Sequence, residues 1–190
     1  MTMGNIQSVP YLDLPAQISG IRSEVDAAIK NVIDKCAFCL GPEVTAFEKE
    51  FAAWCGMKHA VAVNSGTSAL HLAMKVLGVK AGDEVITTPF TFVATSWAIS
   101  YVGARPVYVD IDDATFNIDP RLVAKAVTSR TKAMIPVHLY GQPCDIDALM
   151  DIAKKNDFPV VEDCAQSHGA EYKGKKAGSF GAVSCYSFYP

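Results

Sequence analysis

Apolar residues recur at intervals of three and four along the first part of the chain. This period predicts an amphipathic helix over about residues 20–38 and, after the break at Gly41–Pro42, a second helix through Trp54. The residues that carry the pattern are Ile21, Val25, Ile29 and Ile33, then Val44, Phe47 and Phe51.

From residue 60 onward, short apolar runs alternate with amphipathic segments. Asp119 before Pro120 is typical of a helix start, because an aspartate caps free N–H groups and proline suits the first helical position. The alternation favours an α/β fold with a mostly parallel central sheet and helices on both faces. The predicted strands are 60–64, 84–88, 106–110, 133–138, 159–162 and 182–188, the helices 67–77, 91–101, 120–127 and 147–156, and a polar hairpin 171–178.

Composition narrows the class of protein. The chain has 190 residues, is 50% hydrophobic and carries a formal net charge of −3, which suits one domain with a large core. It has no basic run to bind nucleic acid and no apolar stretch near the roughly 20 residues that span a bilayer. Met1–Gln7 lacks the features of a signal peptide, so we expect a cytoplasmic protein.

The six cysteines lie in apolar or mixed segments rather than in a dense framework. Cys36 and Cys39 have the spacing of a metal knuckle, but a second such pair is missing. We therefore expect buried thiols rather than a zinc or redox site. The histidines show no metal-ligand spacing either, and we assign no metal.

Residues 64–70, Asn-Ser-Gly-Thr-Ser-Ala-Leu, join a predicted strand to a predicted helix. Gly66 permits a tight turn, and the N–H groups of Thr67 and Ser68 begin the helix, where phosphate commonly binds. Plain capping by Ser65 or Thr67 explains the same residues equally well.

Other polar and aromatic residues follow predicted strands, where ligands of α/β sheets bind. Glu162 and Asp163 could hold magnesium, a ribose hydroxyl or a protonated ring nitrogen, or could cap a turn. Phe92 could lie over a flat ring or pack in the core. His138 could be an acid/base group, although a hydrogen-bonded structural histidine is the commoner case.

Taken in order, these motifs resemble the DegT/DnrJ/EryC1/StrS family of nucleotide-sugar aminotransferases, which are fold-type I pyridoxal-phosphate enzymes. The resemblance runs from about residue 10 to the end of the chain. It is carried by Gly-Pro-Glu-Val at 41–44, residues 64–70, Thr-Phe-Val-Ala-Thr at 91–95, Val-His-Leu-Tyr-Gly at 137–141, Glu-Asp-Cys-Ala-Gln-Ser-His-Gly-Ala at 162–170 and Ser-Phe-Tyr-Pro at 187–190.

The resemblance implies a cofactor site for pyridoxal 5'-phosphate, with pyridoxamine 5'-phosphate formed during turnover. Asp163 would pair with the protonated pyridine nitrogen, Phe92 would stack over the ring, and Gln166 would bond the ring hydroxyl. The residues expected to hold the phosphate are Gly66, Thr67, Ser68 and Ser187.

By the same resemblance, a Schiff-base lysine is expected about two residues past Pro190. Residues 1–12 would form an N-terminal arm, 13–190 the cofactor-binding large domain, and a small domain would follow. The family is expected to form homodimers with shared active sites.

The implied reaction moves an amino group from L-glutamate to a keto group of a nucleotide-linked sugar. Pro190 slightly favours 3-keto over 4-keto substrates. Two alternatives stay open: a sugar dehydratase of the same family, in which histidine replaces the lysine, and a non-catalytic cofactor-binding relative.

Overall fold

The computed structural model of the chain describes residues 11–189, which fall into two compact units, 11–47 and 48–189. Most of the predicted N-terminal arm, and Pro190 with its hint about the substrate, lie outside these residues. The predicted boundary between residues 12 and 13 remains a prediction.

The first unit is helical. Helix α1 spans Leu14–Ser19, α2 spans Arg22–Asp34, and α3, Pro42–Cys55, begins here and continues into the second unit. Asn31 donates from Nδ2 to Oε1 of Glu43 at 2.8 Å, which links α2 to the start of α3. The expectation of buried thiols is wrong for Cys36 and Cys39, because α2 ends before them and both are exposed. The other four cysteines are buried.

The second unit is built on parallel strands, as the sequence predicts. Strand β1 pairs in parallel with β2 on one side and β3 on the other, and β4 pairs in parallel with β7. Single parallel bridges from Met134 to Val160 and from Val137 to Asp163 place β4 beside the β3 side of the sheet. The strands are β1 Glu84–Thr87, β2 Arg105–Tyr108, β3 Thr131–Met134, β4 Val161–Asp163, the antiparallel hairpin β5 Glu171–Tyr172 with β6 Lys175–Lys176, and β7 Val183–Cys185.

Helices cover both faces of this sheet. The remaining helices are α4 Gly66–Val76, α5 Ala94–Tyr101, α6 Pro120–Ala126 and α7 Ile146–Lys155. Side chains alternate along a strand, so Val85 packs with α4 and α5 while its neighbour Ile86 packs with α6 and α7. Val161 and Val160 divide between the same two clusters, and together these contacts confirm the predicted architecture.

The observed helix starts agree closely with those predicted from the sequence, whereas one predicted strand is absent from the described residues. Asp119 accepts a hydrogen bond from the N–H of Arg121 at 2.8 Å, which confirms its role as cap of α6. The strand predicted over 60–64 is wrong, since this segment is irregular and Val61 is 79% exposed. There the N–H of Ala62 bonds Oε1 of Glu48 at 2.8 Å instead of a neighbouring strand.

Because the strands are parallel, their carboxyl ends lie along one edge, and the loops after them form the crevice in which such folds bind ligands. Within residues 11–189, no helix combines the length and apolar character needed to cross a bilayer.

Candidate active site

The start of α4 is a capped turn in which some backbone N–H groups have no acceptor within the helix. Oγ of Ser65 accepts from the N–H of Ser68 at 3.1 Å, so the capping role expected of Ser65 is confirmed. The N–H groups of Gly66 and Thr67 come first in the helix, where no earlier helical carbonyl can receive them. Capping and anion binding are therefore compatible at this turn.

The approach of Ser187 to Gly66 joins two distant parts of the chain. A Cβ atom at Gly66 would lie 2.8 Å from Cβ of Ser187 and 3.2 Å from its Oγ. Glycine is needed here because any side chain would push the segment after β7 away from the helix start. The structure thus brings together the hydroxyl of Ser187 and the half-buried turn of Gly66, Thr67 and Ser68.

Asp163 ends β4 and is 4% exposed. Its Oδ2 accepts from Oγ1 of Thr95 at 2.8 Å, and its Oδ1 accepts from the N–H of Ala165 at 3.2 Å. Burial raises the pKa of Asp163, although these two donors and His138 oppose the shift. Among the described residues, no lysine or arginine pairs with this carboxyl group. It is a buried acid held by neutral donors.

Phe92 lies on the exposed side of the segment before α5. Its side chain is 68% exposed, and its ring meets Trp97 nearly edge-on with centroids 6.3 Å apart. Packing in the core, the alternative for Phe92, is therefore wrong. Phe92 is tied to Asp163 through Thr95, whose N–H and hydroxyl each lie 3.3 Å from the Phe92 carbonyl oxygen.

Gln166 is oriented by the backbone of the turn Leu139–Gly141. Its Oε1 accepts from the N–H of Tyr140 at 3.0 Å. A backbone N–H can only donate, so the amide oxygen must face Tyr140 and the Nε2 donors face elsewhere. Tyr140 has a φ of 55°, a conformation concentrated at functional sites.

Glu162, next to Asp163, belongs to a separate network. Its Oε2 accepts from the N–H of Gly178 and its Oε1 from those of Phe180 and Gly181, at 2.6–2.8 Å. Nε2 of His138 bonds Oε2 at 2.9 Å. Burial alone would raise the pKa of Glu162, but His138 and the backbone N–H groups together hold that pKa below its usual value.

His138 is a structural histidine in this network. Its Nδ1 accepts from the N–H of Cys144 at 3.0 Å, and its side chain is 1% exposed. The polar atoms of His138 and Glu162 that lie near Cys164 are thus engaged within the protein, although the three side chains are close enough for a shared ion.

The two parts of the site lie along one edge of the sheet. Cys185 of β7 pairs with Asp163 of β4, so Ser187 follows two positions beyond the partner of the acid. The sequence assigned no individual role to Thr95 or Tyr140, and it did not separate the task of Glu162 from that of Asp163. The sequence did contain a signal for Thr95, because Thr91 lies four residues before it in the same motif and the two hydroxyl groups are in contact.

Known proteins resemble this chain over nearly all of its length. The dTDP-3-amino-3,4,6-trideoxy-alpha-D-glucose transaminase of Streptomyces venezuelae is 50% identical over 182 residues, which cover 96% of this chain and 48% of that protein. The UDP-2-acetamido-2-deoxy-3-oxo-D-glucuronate aminotransferase of Pseudomonas aeruginosa is 48% identical, with 96% of this chain and 51% of that protein covered.

A solved structure is equally similar. The crystal structure of S. venezuelae DesV in complex with a ketimine intermediate matches with a TM-score of 0.93 at 49% identity, over 96% of this chain and 49% of that chain. The chain thus spans about half the length of the relatives it matches. The model of the DegT/DnrJ/EryC1/StrS aminotransferase family matches residues 19–190, and the chain belongs to that family.

Proposed function

We propose that the full-length protein is a pyridoxal-phosphate-dependent aminotransferase that moves the amino group of L-glutamate to a keto group of a nucleotide-linked sugar. The observation that carries the proposal is Asp163, a buried carboxyl group without a lysine or arginine partner among the described residues. A ligand with a protonated ring nitrogen supplies the cation that such an acid lacks.

The described residues fit pyridoxal phosphate. Phe92 presents an exposed ring and is linked through Thr95 to the acid. The turn at Gly66 with Ser187 presents N–H and hydroxyl donors suited to a phosphate. Gln166 has its amide nitrogen free of the Tyr140 contact and so can donate to the ring hydroxyl oxygen. When bound, the cofactor withdraws electrons from the carbon that bears the amino group.

The role of each residue follows from its position. Asp163 holds the proton on the ring nitrogen, and Phe92 covers one face of the ring. Gly66, Thr67, Ser68 and Ser187 anchor the phosphate. These contacts fix the ring against rotation so that the reacting carbon meets the substrate in one orientation.

The proposal extends to the rest of the protein and to its substrate. The full-length protein carries a lysine shortly after Pro190, and residues 13–190 form a large domain followed by a small one. It works as a homodimer with shared active sites, in the cytoplasm. The names of the two relatives from Streptomyces venezuelae and Pseudomonas aeruginosa include a 3-amino and a 3-oxo sugar, which supports a 3-keto substrate.

The test uses the full-length protein with pyridoxal phosphate, L-glutamate and a panel of nucleotide 3-keto and 4-keto sugars. We expect 2-oxoglutarate and an amino sugar in equal amounts, measured by mass spectrometry, with turnover greatest for a 3-keto substrate. A deoxygenated sugar without the new amine would indicate a dehydratase instead. Cofactor binding without turnover of any sugar in the panel would favour a non-catalytic relative.

A further inference from the structure

We propose that Thr95 is a positioning residue whose hydroxyl orients the carboxylate of Asp163 towards the ring nitrogen of the cofactor without neutralising it. This inference rests on the proposed function. It assigns a task to a side chain that is 1% exposed and lies between the acid and the aromatic residue of the site.

The direction of the hydrogen bonds follows from chemistry. A carboxylate only accepts, so the single hydroxyl proton of Thr95 points at Oδ2 of Asp163, 2.8 Å away. Oγ1 of Thr91 lies 3.2 Å from Oγ1 of Thr95 and must therefore be the donor of that pair. The result is a directed chain from Thr91 through Thr95 to Asp163.

This chain leaves the acid room for a ligand. Oδ2 receives one hydroxyl and Oδ1 one backbone N–H, from Ala165. A carboxylate has about four acceptor positions, so each oxygen keeps a second one. Two donors on different oxygens fix the plane of the group, and the remaining positions stay open to an N–H from outside.

The neutrality of the donor matters. A lysine or arginine at this place would orient Asp163 equally well but would also satisfy its charge. Among residues 11–189, the titratable groups that interact with Asp163 are His138, which favours its charged form, and the buried thiols of Cys144, Cys164 and Cys185. Because Thr95 is neutral, it leaves the negative charge of Asp163 uncompensated, and a protonated ring nitrogen can compensate that charge.

Thr95 also links the edge of the bound ring to its face. Its N–H and its hydroxyl both lie 3.3 Å from the carbonyl oxygen of Phe92, the residue proposed to stack on the ring. The backbone N–H of Thr95 bonds the Phe92 carbonyl while its hydroxyl bonds Asp163, so this one residue relates the position of Phe92 to that of Asp163.

The experiment uses the full-length protein freed of cofactor and measures binding of pyridoxamine phosphate by equilibrium dialysis. This ligand forms no bond to a lysine, so its affinity reports only non-covalent contacts. Thr95→Val keeps the shape of the side chain and removes the hydroxyl. We expect affinity to fall roughly tenfold, as for loss of a bond to a charged group, and Thr95→Ser to restore most of it.

A matched control is Thr87→Val. Thr87 is also fully buried, but its hydroxyl bonds the carbonyl of Ile135 at 2.8 Å and does not touch Asp163. We expect its affinity for pyridoxamine phosphate to equal that of the wild type. If Thr95→Val does not fold, Thr95→Ala takes its place, since it introduces no new contact.

A second ligand separates positioning from packing. An analogue of pyridoxamine phosphate with carbon in place of the ring nitrogen cannot bond Asp163, so Thr95→Val should bind it as the wild type does. Equal loss for both ligands would mean that Thr95 acts through packing, and no loss for either would remove the assignment. Failure of the wild type to bind pyridoxamine phosphate would instead overturn the proposed function.

Discussion

His138 donates its Nε2–H to Oε2 of Glu162 across 2.9 Å, between β4 and the segment that follows β3, where both side chains are buried. The N–H of Cys144 points at Nδ1 of the same ring, which places the ring proton on Nε2. Glu162 in turn holds the N–H groups of the turn 178–181, which leads into β7. This pair therefore supports the strand that delivers Ser187 to the site.

Glu162→Gln should destabilise the cofactor-free protein by about 3 kcal/mol, because the new amide group must face a donor at whichever oxygen it replaces. The measurement is the urea midpoint at pH 7. Glu171→Gln is the control, since Glu171 has an exposed ion pair with Lys176 at 3.6 Å and should change stability by less than about 0.5 kcal/mol.

Comparison of the wild type with Glu162→Gln at several pH values also tests the pKa of Glu162. A carboxyl group whose folded pKa is depressed stabilises the fold above its usual pKa of 4.5 and stops doing so as the pH falls through the folded value. The difference between wild type and Glu162→Gln should therefore shrink in acid. A constant difference, or equal midpoints at pH 7, would contradict the role given to Glu162.

Asp163→Asn should separate stability from cofactor binding. The folded pKa of Asp163 is raised above its usual 3.8, so its charge opposes folding at neutral pH and this cost disappears as the pH falls through the raised value. Unlike the fixed N–H groups around Glu162, the Thr95 hydroxyl can turn to the Phe92 carbonyl and accept from the new amide, while the amide oxygen keeps the N–H of Ala165. We therefore expect the cofactor-free variant to melt at or above the wild-type temperature at pH 7, with the gap closing in acid. Pyridoxamine phosphate should bind it much more weakly. A less stable variant at pH 7 would show that the charge of Asp163 supports the fold.

Gly66→Ala should weaken binding of the phosphate group in particular. The added Cβ, 2.8 Å from Cβ of Ser187, must displace that residue from the helix start. We expect roughly tenfold lower affinity for pyridoxamine phosphate and little change for pyridoxamine, which lacks the phosphate. Gly20→Ala is the control, as its nearest neighbour would be 3.8 Å away. Equal loss for the two ligands would argue against a phosphate site at this turn.

Gln166→Glu should change the protonation of the bound ring. One carboxylate oxygen can still accept from the N–H of Tyr140, but the other replaces a donor with a negative charge. The pKa of the cofactor hydroxyl group should rise, seen as a shift of the absorbance titration of bound pyridoxamine phosphate to higher pH. Gln142→Glu, an exposed change in the neighbouring turn, should leave the titration in place. An unshifted Gln166→Glu curve would place Gln166 away from the ring hydroxyl.

The sequence predicts the architecture well because periodicity and capping are local signals. Asp119 with Pro120 marks the start of α6 correctly, and the alternating faces of β1 follow from Val85 and Ile86. Residues 60–64 show the limit: their apolar pattern suits a strand, but a strand also needs a neighbour to pair with, and Ala62 bonds a side chain instead.

In the candidate site, too, some residues could be predicted from the sequence and others could not. Asp163 and Gly66 were found from strand ends, turn chemistry and the family motif. The contact between Thr95 and Asp163 was not, because it depends on how α5 packs against β4 across 68 positions of sequence. Without the family resemblance, strand-end position alone also left Glu162 and Asp163 equivalent, because the partners that give Glu162 a structural role are distant in sequence.

The alternation of Glu162 and Asp163 on β4 makes this strand sensitive to length as well as to composition. A single residue inserted before Glu162 would exchange the two faces, turning the tightly bonded acid towards Thr95 and the acid that awaits a cation towards His138. Both carboxyl groups would still be present, yet neither would meet its donors. In this segment, insertions and deletions should therefore be far less tolerated than substitutions of similar size.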